Sequence, residues 1–150
     1  GPDDIYMALR GLRTLPLRMK QHQASATAVA QWLQGRPEVA RVMYPALPGD
    51  PGHEIWKRDY DGASGLFGVV LNACTDKQFA AMLDHMDLFK LGYSWGGYES
   101  LVVPTYPSDL RSAVSWDAPG PSLRLHVGLE DVEDLIGDLD RGFARMHAAA

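Results

Sequence analysis

The chain has 150 residues, 46% hydrophobic and 22% charged, with a net charge of -5: the size and balance of one domain, or of a compact piece of a larger protein. Its acidic balance and scattered Lys and Arg argue against nucleic acid, which needs a basic patch, and a lone Cys74 leaves no internal disulfide or CxxC metal motif. With no apolar run of the roughly 18–20 residues a membrane span needs and no signal-peptide core, the sequence reads as a soluble, cytoplasmic protein.

The first element is a long helix. Asp3 or Asp4 can cap its start, and apolar residues recur at Ile5, Leu9, Leu12, Leu15 and Met19, near the 3.6 period. The pattern resumes at Val29, Trp32 and Leu33 and stops at Gly35 and Pro37. Pro16 removes a backbone donor, which predicts a kink, or a break into a helical hairpin. A helix of about 30 residues is long for so small a domain, and too little chain lies near its first half to cover the apolar stripe.

Val39–Met43 is a short strand, and the Pro- and Gly-rich stretch from Tyr44 to Ser64 an irregular loop with a helical turn at His53–Arg58. Leu66–Leu71 reads as a buried strand, and Asp76–His85 as a helix with Phe79, Met82 and Leu83 on one side. Strands follow at Phe89–Tyr93 and Leu101–Val103, then a loop from Tyr106 to Pro121 and a last strand, Ser122–Val127. The final helix runs from Asp131 to about Met146, with Val132, Leu135, Ile136, Leu139, Phe143 and Met146 on one stripe. This order predicts an α+β fold: one mostly antiparallel sheet with helices on one face.

In the last strand Leu123, Leu125 and Val127 point one way, and Ser122, Arg124 and His126 the other. The apolar face must meet the helices, so Arg124 projects from the opposite face. It is either a solvated arginine on a half-exposed sheet or an anion grip, since a guanidinium on a rigid strand can hold a carboxylate bidentately. "LGYSWGGYESL", residues 91–101, is equally two-sided. Its glycine pair and aromatics suit a tight turn, or the wall of a site where other groups approach the backbone closely. The five histidines show no metal spacing, and no nucleophile elbow or phosphate loop is present. Cys74, at a strand-to-helix turn, reads as structural.

Three blocks, "DDIYMALRGLRTLPLRM", "LGYSWGGYESLVVP" and "LRLHVGLEDVEDLIGDLDRGFARM", resemble the C-terminal part of the Cys/Met-metabolism family of pyridoxal-phosphate enzymes. These enzymes share the aspartate-aminotransferase-like fold. Ser94-Trp95-Gly96-Gly97 is similar to the bacterial beta-lyase branch more than to the gamma-synthase or gamma-lyase branches. The resemblance implies a carbon–sulfur lyase of the methionine pathway. It would cleave cystathionine by alpha,beta-elimination to homocysteine, pyruvate and ammonia, in an enzyme that is a tetramer when whole. By resemblance Arg124 grips the substrate alpha-carboxylate, Ser94 lies near the substrate, and Tyr93 and Trp95 line the same pocket.

In the family a larger N-terminal domain holds the cofactor and carries the Schiff-base lysine in a Ser/Thr-rich segment. Lys20, Lys57, Lys77 and Lys90 have no such context. The expectation is therefore an interdomain helix, residues 1–36, followed by the small C-terminal domain, residues 37–150. Alone it would be inactive and form no lysine adduct with pyridoxal phosphate. A gamma-lyase or gamma-synthase, or a binding module without catalysis, are the alternatives.

Overall fold

The computed structural model describes residues 1–150, and its longest element is a single helix, α1 (Pro2–Gln34). Pro2 supplies the fixed φ of a first helical residue, so Gly1 is the cap and not Asp3 or Asp4. Those two acids lie in the first turn instead, where the helix dipole favours them, and Asp4 Oδ2 accepts from the N-terminal amine at 2.9 Å. Pro16 does not break the helix. One turn ahead of it, Arg18 Nη2 and Thr14 Oγ1 both donate to the Gly11 carbonyl, at 2.7 and 3.2 Å. The first half stands exposed, with Ile5 at 63%, Leu9 at 52% and Leu12 at 62%. From His22 onward one face is buried through Ser25, Ala26, Val29, Ala30 and Leu33.

The remaining elements are β1 (Val39–Met43), α2 (His53–Asp59), β2 (Leu66–Leu71), α3 (Asp76–Leu83), β3 (Lys90–Leu91), β4 (Leu101–Thr105), α4 (Pro107–Leu110), β5 (Ser122–His126) and α5 (Val132–Ala148). The sheet order is β1-β2-β5-β4-β3, antiparallel except for the β3–β4 pair. The fold is α+β, as the pattern predicts. β5 is central, with Leu125 between Phe67 and Val102 and Arg124 between Gly68 and Val103.

Alternation decides the core. Phe67, Val69, Leu71, Leu123, Leu125 and Val102 share one cluster with Leu135, Leu139 and Phe143 of α5 and Val29 and Leu33 of α1. Each such side chain contributes about 1.5–3 kcal/mol by leaving water. Asp131 caps α5 by accepting from the Glu133 N–H at 2.9 Å, and Thr75 with Gln78 forms a capping box on α3.

Two further expectations change. The strand at Phe89–Tyr93 shrinks to Lys90–Leu91, because Phe89 is drawn into the core and its N–H goes to Asp138 Oδ2. The other face of β5 is also closed rather than half-open: Ser122 and His126 are buried, and only Arg124 is part-exposed. No helix is long and apolar enough to cross a membrane.

Candidate functional site

Arg124 sits mid-strand at the centre of the sheet, on the face away from Leu123 and Leu125. Its neighbour on β2, Gly68, has no side chain, and the Met43 methyl occupies the space where a Cβ would stand. The guanidinium Nη2 donates to the Tyr93 carbonyl. That contact brings the central strand and the loop after β3 together, across 31 residues of sequence.

The loop is open to solvent. Tyr93, Trp95 and Tyr98 are 83%, 61% and 69% exposed, and Ser94 is exposed as well. Tyr93 meets Arg124 through its backbone, while the side chains of Ser94 and Trp95 make no hydrogen bond. Gly96 adopts φ +89°, the left-handed region that glycine enters without strain. The geometry thus joins the loop to Arg124 and leaves its aromatic surface uncovered.

Three anchors of this loop escape sequence reasoning. His126, buried beside Arg124, places Nε2 at 3.1 Å from the Gly97 carbonyl, and the Gly96 nitrogen lies 3.2 Å from Nε2 and 3.4 Å from Nδ1. Burial holds its pKa below the ordinary histidine value; His22 and Arg124 add to this, against the opposing pull of the Gly97 carbonyl and Glu130. Ser100, fully buried, donates its N–H and Oγ–H to Glu130 at 2.6 and 2.8 Å, and its Oγ accepts from the Gly128 N–H at 2.8 Å. The Leu129 N–H reaches the Tyr98 carbonyl at 2.9 Å. The available signal was the alternation that puts His126 on the arginine's face, two residues along.

Cys74 is partly buried, and burial together with Asp76 pushes its thiol up, so it is not an activated nucleophile.

Fold and site together define an α+β domain with an arginine-bearing central strand, set at the end of a long, half-uncovered helix. The chain belongs to the Cys/Met metabolism PLP-dependent enzyme family, whose model matches residues 1–144. It is 51% identical over 148 residues to the cystathionine beta-lyase of Salmonella typhimurium, covering 96% of this chain and 38% of that protein. An L-alanine/L-glutamate racemase of Wolbachia pipientis is 46% identical over 147 residues, covering 95% of this chain and 36% of that protein. A crystal structure of cystathionine gamma synthase from Xanthomonas oryzae, in complex with cystathionine, superposes with TM-score 0.84 at 33% identity, over 100% of this chain and 40% of that one. The chain thus spans well under half the length of the relatives it matches.

The family depends on pyridoxal phosphate. A Schiff-base lysine needs a desolvated amine, yet Lys20, Lys57, Lys77 and Lys90 are all exposed, and Lys90 Nζ donates to the Met86 carbonyl at 3.1 Å. None of these four exposed lysines sits in a desolvated position of the kind covalent anchorage of the cofactor needs.

Proposed function

We propose that this chain forms the substrate-carboxylate side of a pyridoxal-phosphate-dependent carbon–sulfur lyase acting on cystathionine. The whole enzyme would take cystathionine and water to homocysteine, pyruvate and ammonia. The observation that carries this reading is Arg124: a guanidinium on the central strand of a rigid sheet, part-exposed, beside the Tyr93–Trp95 loop. Such a fork binds a carboxylate bidentately and fixes the orientation of the amino acid that carries it. Trp95, with its ring in the open, offers a flat wall for the aliphatic part of a thioether. Residues 1–36 then act as the link to a cofactor domain, and the open stripe at Ile5, Leu9 and Leu12 as surface that domain or another subunit covers.

Identity favours the beta-lyase over the gamma branch: 51% to the Salmonella beta-lyase, against 40% to the cystathionine gamma-synthase of Mycobacterium tuberculosis. The deciding experiment is a product assay on the full natural chain with cystathionine. Pyruvate supports the proposal, and 2-oxobutyrate replaces it with a gamma-cleaving enzyme. Arg124→Lys should raise the KM for cystathionine at least tenfold, because an ammonium cannot reproduce the fork. An unchanged KM removes Arg124 from the site.

A further inference from the structure

The loop bearing Ser94 and Trp95 has almost nothing to hold it. β3 ends at Leu91, the last ladder-like bond is from the Gly92 N–H to the Val102 carbonyl at 3.3 Å, and pairing resumes only at Tyr98. Between Ser94 and Gly97 the polar ties to the rest of the fold all end on one side chain, His126. Nε2 lies 3.1 Å from the Gly97 carbonyl, and the Gly96 nitrogen sits 3.2 Å from Nε2 and 3.4 Å from Nδ1, so one imidazole meets the carbonyl and the N–H together. The Gly96 N–H faces an uncharged ring favourably and a cationic one unfavourably.

A second imidazole stands behind it. His22 of α1 is 2% exposed, and its Nδ1–H donates to the Val127 carbonyl at 2.8 Å, a contact across 105 residues. That bond leaves Nε2 as a buried lone pair with no partner. The two rings lie 5.3 Å apart at 47°. A buried acceptor left open costs free energy, so its retention beside His126 calls for a role.

We propose that His126 is a positioning residue, whose neutral ring latches the Ser94–Gly97 backbone onto β5 while His22 braces that ring from α1. The inference rests on the reading of Ser94 and Trp95 as the substrate wall. The charged and titratable groups around His126 are Arg124 on its own strand, His22 on α1 and Glu130 after β5. Protonation would set a cationic ring against the Gly96 N–H and next to Arg124, so the latch opens. Because burial lowers the pKa of His126, the latch is shut at neutral pH and opens as the pH falls through that lowered value.

The test uses the full natural chain with its cofactor and cystathionine. His126→Phe keeps a ring of similar size without its nitrogens, and should lower kcat/KM about tenfold, mostly through KM, as expected for two lost hydrogen bonds. His126→Asn keeps a donor and an acceptor and should recover to within about threefold of wild type. Asn does not titrate, so the acidic limb of the wild-type kcat/KM profile should flatten. Unchanged kcat/KM in His126→Phe overturns the latch. Should His126→Phe fail to fold, the unaltered protein decides: the Trp95 indole resonance should titrate with the midpoint of the His126 ring, and independent titration overturns the proposal. Arg124→Lys separates the two readings. If it weakens cystathionine and His126→Phe does not, the latch alone fails; if neither matters, the site itself is wrongly placed.

Discussion

Asp138 of α5 is fully buried, and its carboxylate accepts three consecutive backbone N–H groups: Asp87 on Oδ1 at 2.9 Å, and Leu88 and Phe89 on Oδ2 at 2.8 and 3.0 Å. Arg141 adds a longer contact to Oδ1 at 3.4 Å. This one side chain thereby turns the chain between α3 and β3 and seats Phe89 in the core. Asp138→Asn can keep its carbonyl oxygen toward Leu88 and Phe89, but its amide then confronts the Asp87 N–H and Arg141. One bond to a charged acceptor is lost and two donors face each other, which costs about 2 kcal/mol. Asp138→Ala strands all three N–H groups and should cost about 4 kcal/mol. At roughly 2–4 °C per kcal/mol for a chain of this size, the Asn variant should melt about 4–8 °C lower.

The same site fixes a pH dependence. Burial pushes the Asp138 carboxyl up, but the N–H groups of Asp87, Phe89 and Leu88 and the Arg141 charge outweigh it and hold the pKa below the ordinary carboxylate value. A depressed folded pKa means stability that is present above the unfolded value and is lost as the pH falls through the folded one. Urea unfolding at several pH values, followed by circular dichroism, should show a shallower acid loss in Asp138→Asn than in wild type. A variant that melts with wild type, or loses stability in acid at the same slope, refutes the reasoning.

Glu38 is buried under the end of α5, where His147 Nε2 approaches at 2.7 Å and Arg36 Nε at 3.2 Å. Burial raises its pKa, but His147, its own backbone N–H and Arg36 prevail and hold it low. Glu38→Gln should cost about 1–2 kcal/mol at neutral pH and less on acidification, read by the same titrated melts. A Cβ on Gly128 would run into the Tyr98 carbonyl, so Gly128→Ala should destabilise by about 2 kcal/mol and speed proteolysis of the loop that follows Tyr93. Leu139→Ala, at a fully buried position, should cost about 2–5 kcal/mol in urea unfolding. The exposed stripe at Ile5, Leu9 and Leu12 should make the 150-residue chain self-associate, and Leu9→Glu with Leu12→Glu should release monomers. A wild-type chain that sediments as a clean monomer at high concentration counts against this.

The two-residue period of "SLRLHVG" was enough to put Leu123 and Leu125 in the core and Arg124 on the other face, because alternation is a property of extended backbone itself. The same locality made Val39–Met43, Leu66–Leu71 and the stripe of α5 legible. The long helix was legible too, but Pro16 left a kink or a break into a hairpin open, and the chain runs on as one helix through it. What no local pattern could decide is which groups meet across the sheet. Asp138 reaches Phe89 over 49 residues, His22 reaches Val127 over 105, and His126 faces Gly97 over 29. A buried polar atom must find a partner, but chain spacing does not say where; only the packed sheet and helices bring that partner within 3 Å or so, and so only the tertiary structure decided how the Ser94–Gly97 loop is held.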